Sequence, residues 1–145
     1  MGHVYTIPME NATVVADATL IILRADSTGS QGAVLEVLRA TISQNETETG
    51  QQLGVILGRK VTAFGTYTST APTPHTLGGA ASAITGATTG AESTSGTDAS
   101  AEGAGAVTGL FYDAFDNRAG WFYVPTPEER PLVLPEIAVV LKLVG

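Results

Sequence analysis

Residues 33–44 read AVLEVLRATISQ, and whether they coil or extend decides the fold class of the whole chain. Val34, Leu35, Leu38 and Ile42 fall at helical spacing, whereas Leu35, Val37, Arg39 and Thr41 line one face of an alternating strand. β-branched residues are frequent here, no helix cap is evident, and the segments on either side read as strands. The stretch therefore reads as strand, and with it the chain reads as all-β.

Working outward, residues 18–25, ATLIILRA, form a short apolar run rich in β-branched residues, bounded by Asp17 and by the turn-forming DSTGSQG at 26–32. Length and flanks predict a buried strand. At the start, HVYTIPM at 3–9 alternates Val4, Thr6 and Pro8 with Tyr5, Ile7 and Met9, and Pro8 confines this strand to an edge or a bulge. On the other side the turn NETETG at 45–50 leads into QQLGVILGRKVTAFGTY, where Val55, Leu57, Val61 and Phe64 suggest one or two strands interrupted at Gly58, a position suited to a bulge.

The composition then changes. From Gly65 to Gly105 the chain is rich in Gly, Ala, Ser and Thr, and beyond Tyr67 its large aliphatic residues are Leu77 and Ile84. Such a segment buries too little surface to offset about 1–2 kcal/mol of backbone entropy per residue. The expectation is a long flexible loop or arm over 65–105, without the fixed period of a solenoid.

Strand signals resume with AVTGLFYDAF at 106–115, and NRAG at 117–120 reads as a turn before WFYV. A corner with two prolines follows, then a short strand bracketed by Pro131 and Pro135, and a last strand in IAVVLKLV at 137–144. Roughly seven to nine short strands without a helix predict one domain over 1–145, an antiparallel β-sandwich with a jelly roll as the expected topology.

Seven basic residues against fourteen acidic ones give a net charge of -7, which repels a phosphate backbone and argues against nucleic acid as a partner. The chain has no cysteine, hence no disulfide framework and no thiolate site. Its apolar runs fall short of the roughly 20 residues that cross a bilayer, and the start lacks a basic region followed by an apolar core, so no membrane partner or signal peptide is expected.

Candidate chemistry is sparse. His3 and His75 lie far apart in sequence and read as surface or loop residues rather than parts of a triad. Asp113 and Asp116, with Asn117, offer oxygen ligands to a hard cation but lack a calcium-loop pattern and read as turn residues. Glu128 and Glu129 lie beside Arg130; on extended chain neighbouring carboxylates point to opposite faces, so an ion pair to Arg118 or Arg130 is the more ordinary use. Gly103, Gly105 and Gly109 do not fit a dinucleotide loop, and the sequons at Asn11 and Asn45 are frequent by chance in Thr-rich chains. The reading is of a non-enzyme with no catalytic residue, no cofactor and no metal.

Trp121, Phe122 and Tyr123 must divide between the two faces of a strand. Trp121 and Tyr123 are expected to pack on one side and Phe122 on the other. A glycan platform is the sharper alternative, and it requires an exposed Trp121 or Tyr123.

The corner at 119–134, AGWFYVPTPEERPLVL, resembles that of a group of small structural proteins of tailed bacteriophages, with Gly120, Trp121, Phe122, Tyr123, Pro125, Thr126, Pro127, Glu128, Glu129 and Arg130 carrying the match. YTIPMEN at 5–11, ISQ at 42–44 and APTPHTL at 71–77 are similar to that group as well. The chain departs from it in the long Gly/Ala/Ser/Thr insertion and in ending soon after LKLVG. The resemblance implies a virion component: a capsid decoration or cement protein of jelly-roll-like fold, made in the host cytoplasm, placed on the capsid surface, bound to the major capsid protein and assembled as a homotrimer. Trp121, Tyr123, Pro125, Pro127, Glu128 and Arg130 are then the residues expected to form the structural corner or interface. A surface glycan is the alternative partner.

Overall fold

The computed structural model describes residues 4–7, 19–24, 34–44, 49–62, 73–76, 78, 93–95, 105–134 and 137–145. Over these residues the chain is all-β, with several antiparallel sheets consistent with a β-sandwich. The strands are β1 (Tyr5–Thr6), β2 (Thr19–Arg24), β3 (Leu35–Glu36), β4 (Ala40–Ile42), β5 (Gln52–Lys60), β6 (Thr73–Pro74), β7 (Ser93–Ser95), β8 (Thr108–Asp116), β9 (Trp121–Tyr123), β10 (Leu132–Val133) and β11 (Ala138–Val144), with a 3₁₀ turn over Pro127–Glu129.

Five strands make the main sheet in the order β7-β2-β11-β5-β8, every neighbour antiparallel. The central strand is the chain's last, and its alternation sorts the two faces. Val139, Leu141 and Leu143 join Val55 and Leu57 of β5 and Phe115 of β8 in the larger core, while Ala138 and Val140 turn to the opposite face with Ile22, where Val107 packs on them. In β2 the alternation slips: a register shift opposite Leu141 and Lys142 lets Leu20 join the same core that Ile21 and Leu23 pack against. The extra residue is a β-bulge.

Across the larger core lie β3, β4, β9 and β10. Segment 35–42 runs antiparallel to segment 121–133: Ile42, Thr41 and Ala40 pair with Trp121, Phe122 and Tyr123, and Glu36 and Leu35 pair with Leu132 and Val133. Between the two halves of this ladder, residues 124–131 stand against 37–39 alone, and Val37 N–H donates to Pro131 O at 3.1 Å where pairing resumes. The corner is therefore a loop thrown out of one ribbon.

The strand reading of 33–44 holds, with one correction. Leu35 and Val37 face the core as the alternation predicts, but beyond them Ala40 and Ile42 pack inward while Arg39 and Thr41 are exposed. The phase reverses because 37–39 cross beneath the looped-out corner and leave the regular pleat. The expected interruption at Gly58 is also different: β5 is continuous, and the register shift between Leu57 and Gly58 places the extra residue, Leu110, on β8.

The segment read as a loop contributes two short strands. Thr73 and Pro74 pair with Thr6 and Tyr5, and Ser93–Ser95 pairs with β2 as an outer strand of the main sheet. Pairing through the main chain to an existing strand needs no large apolar side chain, which is why composition did not reveal it. Apart from these strands and residues 75, 76, 78 and 105, the segment 65–105 lies outside the described residues, as do Pro8, Pro135 and the turn at 26–32.

Candidate functional site

The expected corner and the end of β8 that feeds it form one construction. β8 closes with a tight turn at 117–119, where Ala119 N–H and Gly120 N–H both donate to Asp116 O and Arg118 N–H donates to Asp116 Oδ1 at 2.9 Å. Gly120 takes a φ of +74°, the left-handed region, and a Cβ there would stand 2.8 Å from Ile42 O. Only glycine serves both conditions. Asn117 fastens the turn to the start of β5: its Oδ1 accepts from Gln51 N–H at 3.0 Å, and its Nδ2 donates to Thr49 O.

The turn drops the chain into β9 with Trp121 inward, 5% exposed, and Phe122 outward, 67% exposed. Tyr123 returns to the inner side and stacks on Trp121 at 5.9 Å, with the planes 8° apart. The division of these three residues is the one the sequence suggested, except that Phe122 stays mostly exposed. Trp121 Nε1 donates to Asp113 Oδ2 at 3.0 Å, and the other carboxylate oxygen accepts from Ala114 N–H at 2.8 Å. Both Asp113 oxygens, Asp116 Oδ1 and Asn117 Oδ1 are therefore engaged in tying turn to strand, and no group of three or more metal-ligating side chains occurs among the described residues.

Beyond Val124 the corner tightens. Pro125 is buried; Pro127 sits at the first position of the 3₁₀ turn, where its fixed φ suits the turn. Glu129 N–H donates to Thr126 O at 2.9 Å, and Thr126 Oγ1 donates to Glu129 Oε2 at 3.1 Å. Glu128 and Glu129 are thus on a helical turn rather than on extended chain, and both are exposed. Arg130 pairs with neither: its Nη1 reaches Glu36 Oε1 of β3 at 2.8 Å, because the looped corner brings residue 130 back to the ribbon just where β10 begins. Burial, and secondarily the charge of Glu129, raise the Tyr123 phenol above its usual value.

The remaining sequence candidates do not converge on this place. His75 shares a hydrogen bond with the Thr6 hydroxyl, and its N–H donates to Val4 O, fastening β6 to β1. His3 and both sequons lie outside the described residues. Gly105 and Gly109 prove to be close-packing glycines: a Cβ on the first would meet the main chain of Thr62, and one on the second would meet the ring of Tyr112. No helix among the described residues is long and apolar enough to cross a membrane.

Sequence reasoning passed over Phe111, whose ring lies 5.0 Å from Tyr123 and 6.4 Å from Trp121 and completes the aromatic cluster. It also passed over Glu36 as the partner of Arg130. The signal for the first was available: Leu110, Phe111 and Tyr112 are consecutive, and a strand cannot bury three successive large side chains on one face.

No family model matches this chain, and neither a curated protein nor a solved structure matches it.

Proposed function

We propose that this chain is a non-enzymatic structural protein of a tailed-bacteriophage virion, a capsid decoration protein with a jelly-roll-like body that binds the outer capsid surface and stabilises the head. Its partner in this reading is the major capsid protein, and its assembly is a homotrimer, which would gain avidity from a repeating lattice. The observation that supports it most is the condition of the corner that carries the phage resemblance. Trp121 and Pro125 are buried, Thr126 is bonded to Glu129 within the 3₁₀ turn and Arg130 to Glu36 across the loop, and Phe122, Val124, Leu132 and Leu134 are left exposed. A shape fixed by its own hydrogen bonds while presenting apolar side chains to solvent suits a contact surface better than a reaction site.

The test is addition of the purified protein to particles that lack it. The expected result is binding, with a gain in resistance to heat and pressure; particles that neither bind it nor gain resistance sink the reading. A glycan-binding module is the second reading, and it rests on the exposed rings of Phe122 and Tyr112 rather than on Trp121, which is buried. Unchanged glycan-array signals after Phe122→Ala and Tyr112→Ala would dispose of it.

A further inference from the structure

The ribbon of β3, β4, β9 and β10 has an inner and an outer face. Leu35, Ala40 and Ile42 of one segment and Trp121, Tyr123 and Val133 of the other pack into the larger core. A strand alternates its sides, so the residues between these point to the outer face. They are Val34, Glu36, Arg39 and Thr41 on the first segment and Phe122, Val124, Leu132 and Leu134 on the second. The five apolar ones are 45% to 67% exposed. The outer face of an antiparallel sheet is ordinarily polar, and five large apolar side chains gathered on one mark a contact surface.

Among the described residues the charges on this face are Glu36, with Arg130 bonded to it, and Arg39, which has no ion-pair partner there. The neighbouring charges stand off the face. Glu128 and Glu129 belong to the 3₁₀ turn, and because the Glu129 charge acts on the phenol of Tyr123, an inward residue, that turn lies at the ribbon's rim. Arg118, in the turn before β9, has its guanidinium against Gly50 at the approach to β5.

Two copies bring these faces together about a two-fold axis in the plane of contact, since only an in-plane axis turns a face toward its own copy. An axis along the strands sets each segment over the other segment of the second copy. Glu36 then falls over Leu132 and Arg39 over Val124, charge against hydrocarbon. An axis across the strands, midway between Glu36 and Arg39, sets each segment over itself in reverse. Leu132 then faces Val124 of the second copy, Leu134 faces Phe122, Val34 faces Thr41, and Glu36 faces Arg39 twice over. We propose that the outer face of this ribbon pairs with the same face of a second copy about that axis, in an aligned sheet-on-sheet packing. A partner of one charge sign leaves either Glu36 or Arg39 unmatched, whereas a second copy matches both. The contact goes beyond the reading of this chain as a decoration protein; combined with the three-fold assembly of that reading, it builds a hexamer. Its test uses the free protein, so its failure is distinguishable from failure of the particle experiment.

Light scattering over a concentration series is expected to give a mass of two chains, or of six where the three-fold assembly also forms. A mass of one or three chains throughout overturns the proposal. Arg39→Glu and Glu36→Arg each set like charges across the axis and are expected to weaken association by at least about tenfold. Mixed in equal amounts the two variants should recover it, because one copy then carries acids at both positions and the other arginines. A mixture that associates no better than either variant alone overturns the proposed axis. Phe122→Ser and Leu134→Ser, at exposed positions, are each expected to weaken association by about tenfold while the circular dichroism of the strands is unchanged. Association that neither of them weakens also overturns the proposal, because the copies then meet through another face.

Discussion

The indole N–H of Trp121 donates to the Asp113 carboxylate at 3.0 Å, so that the first residue of β9 is anchored to β8 across the turn that separates them. The ring is a core residue, yet its single polar atom is satisfied by an exposed acid. Removing the acceptor leaves a part-buried donor without a partner, at about 1–3 kcal/mol. Asp113→Ala is therefore expected to destabilise by that amount in denaturant unfolding, and Asp113→Asn by less, since an amide oxygen can still accept. Trp121→Ala, which also empties the space between the layers, should cost about 3–5 kcal/mol. An Asp113→Ala protein as stable as the parent would show that the bond contributes nothing.

Tyr123 supplies a pH dependence. Burial and then the Glu129 charge hold its phenol above the usual 10.0, so the unfolded chain releases this proton at lower pH than the folded one. The stabilisation is complete below 10.0 and is lost as pH rises through the folded value. Tyr123→Phe is expected to show a shallower loss of melting temperature in alkali than the parent. Glu129→Gln should recover the smaller part of the difference. Parallel melting curves for parent and Tyr123→Phe across the alkaline range would refute this account.

The all-β class was legible because the apolar runs are short and punctuated, and the faces of 121–123 followed from alternation alone. The phase reversal at 37–39 was not legible. It arises from the corner, far downstream at 124–131, looping out of the ribbon opposite those three residues, and a local window carries no trace of such a long-range pairing. The partner of Arg130 was hidden for the same reason: Glu36 becomes its neighbour only when β10 pairs with β3. Gly58 announced a bulge, but sequence could not say which strand of the pair would hold the extra residue. The short strands β6 and β7 left no hydrophobic signature because they join through the main chain.

The ion pair between Arg130 and Glu36 closes the corner at 2.8 Å, with the two side chains 29% and 42% exposed. At that exposure solvent screening leaves less than about 1 kcal/mol to such a pair. Glu36→Gln is expected to cost no more than that, and a double-mutant cycle with Arg130→Met should give a coupling that shrinks in high salt. A coupling above about 2 kcal/mol would mean that the pair, rather than the 3₁₀ turn and its prolines, holds the corner in place.

Two glycines that the sequence grouped together should respond to very different degrees to the same change. In Gly109→Ala the new methyl group would stand 2.1 Å from the Tyr112 ring, but that ring is 66% exposed and free to swing into solvent. In Gly105→Ala it would stand 1.8 Å from Thr62 O, a main-chain atom just beyond the end of β5, and 2.9 Å from the Lys60 side chain. There the backbone itself must move, and such strain typically costs about 1–3 kcal/mol or more. Gly109→Ala should therefore unfold within about 1 kcal/mol of the parent, while Gly105→Ala loses several times as much. Both are read from denaturant midpoints at equal slope. Equal losses at the two positions would refute the account that main-chain contact with Thr62 is what keeps residue 105 a glycine.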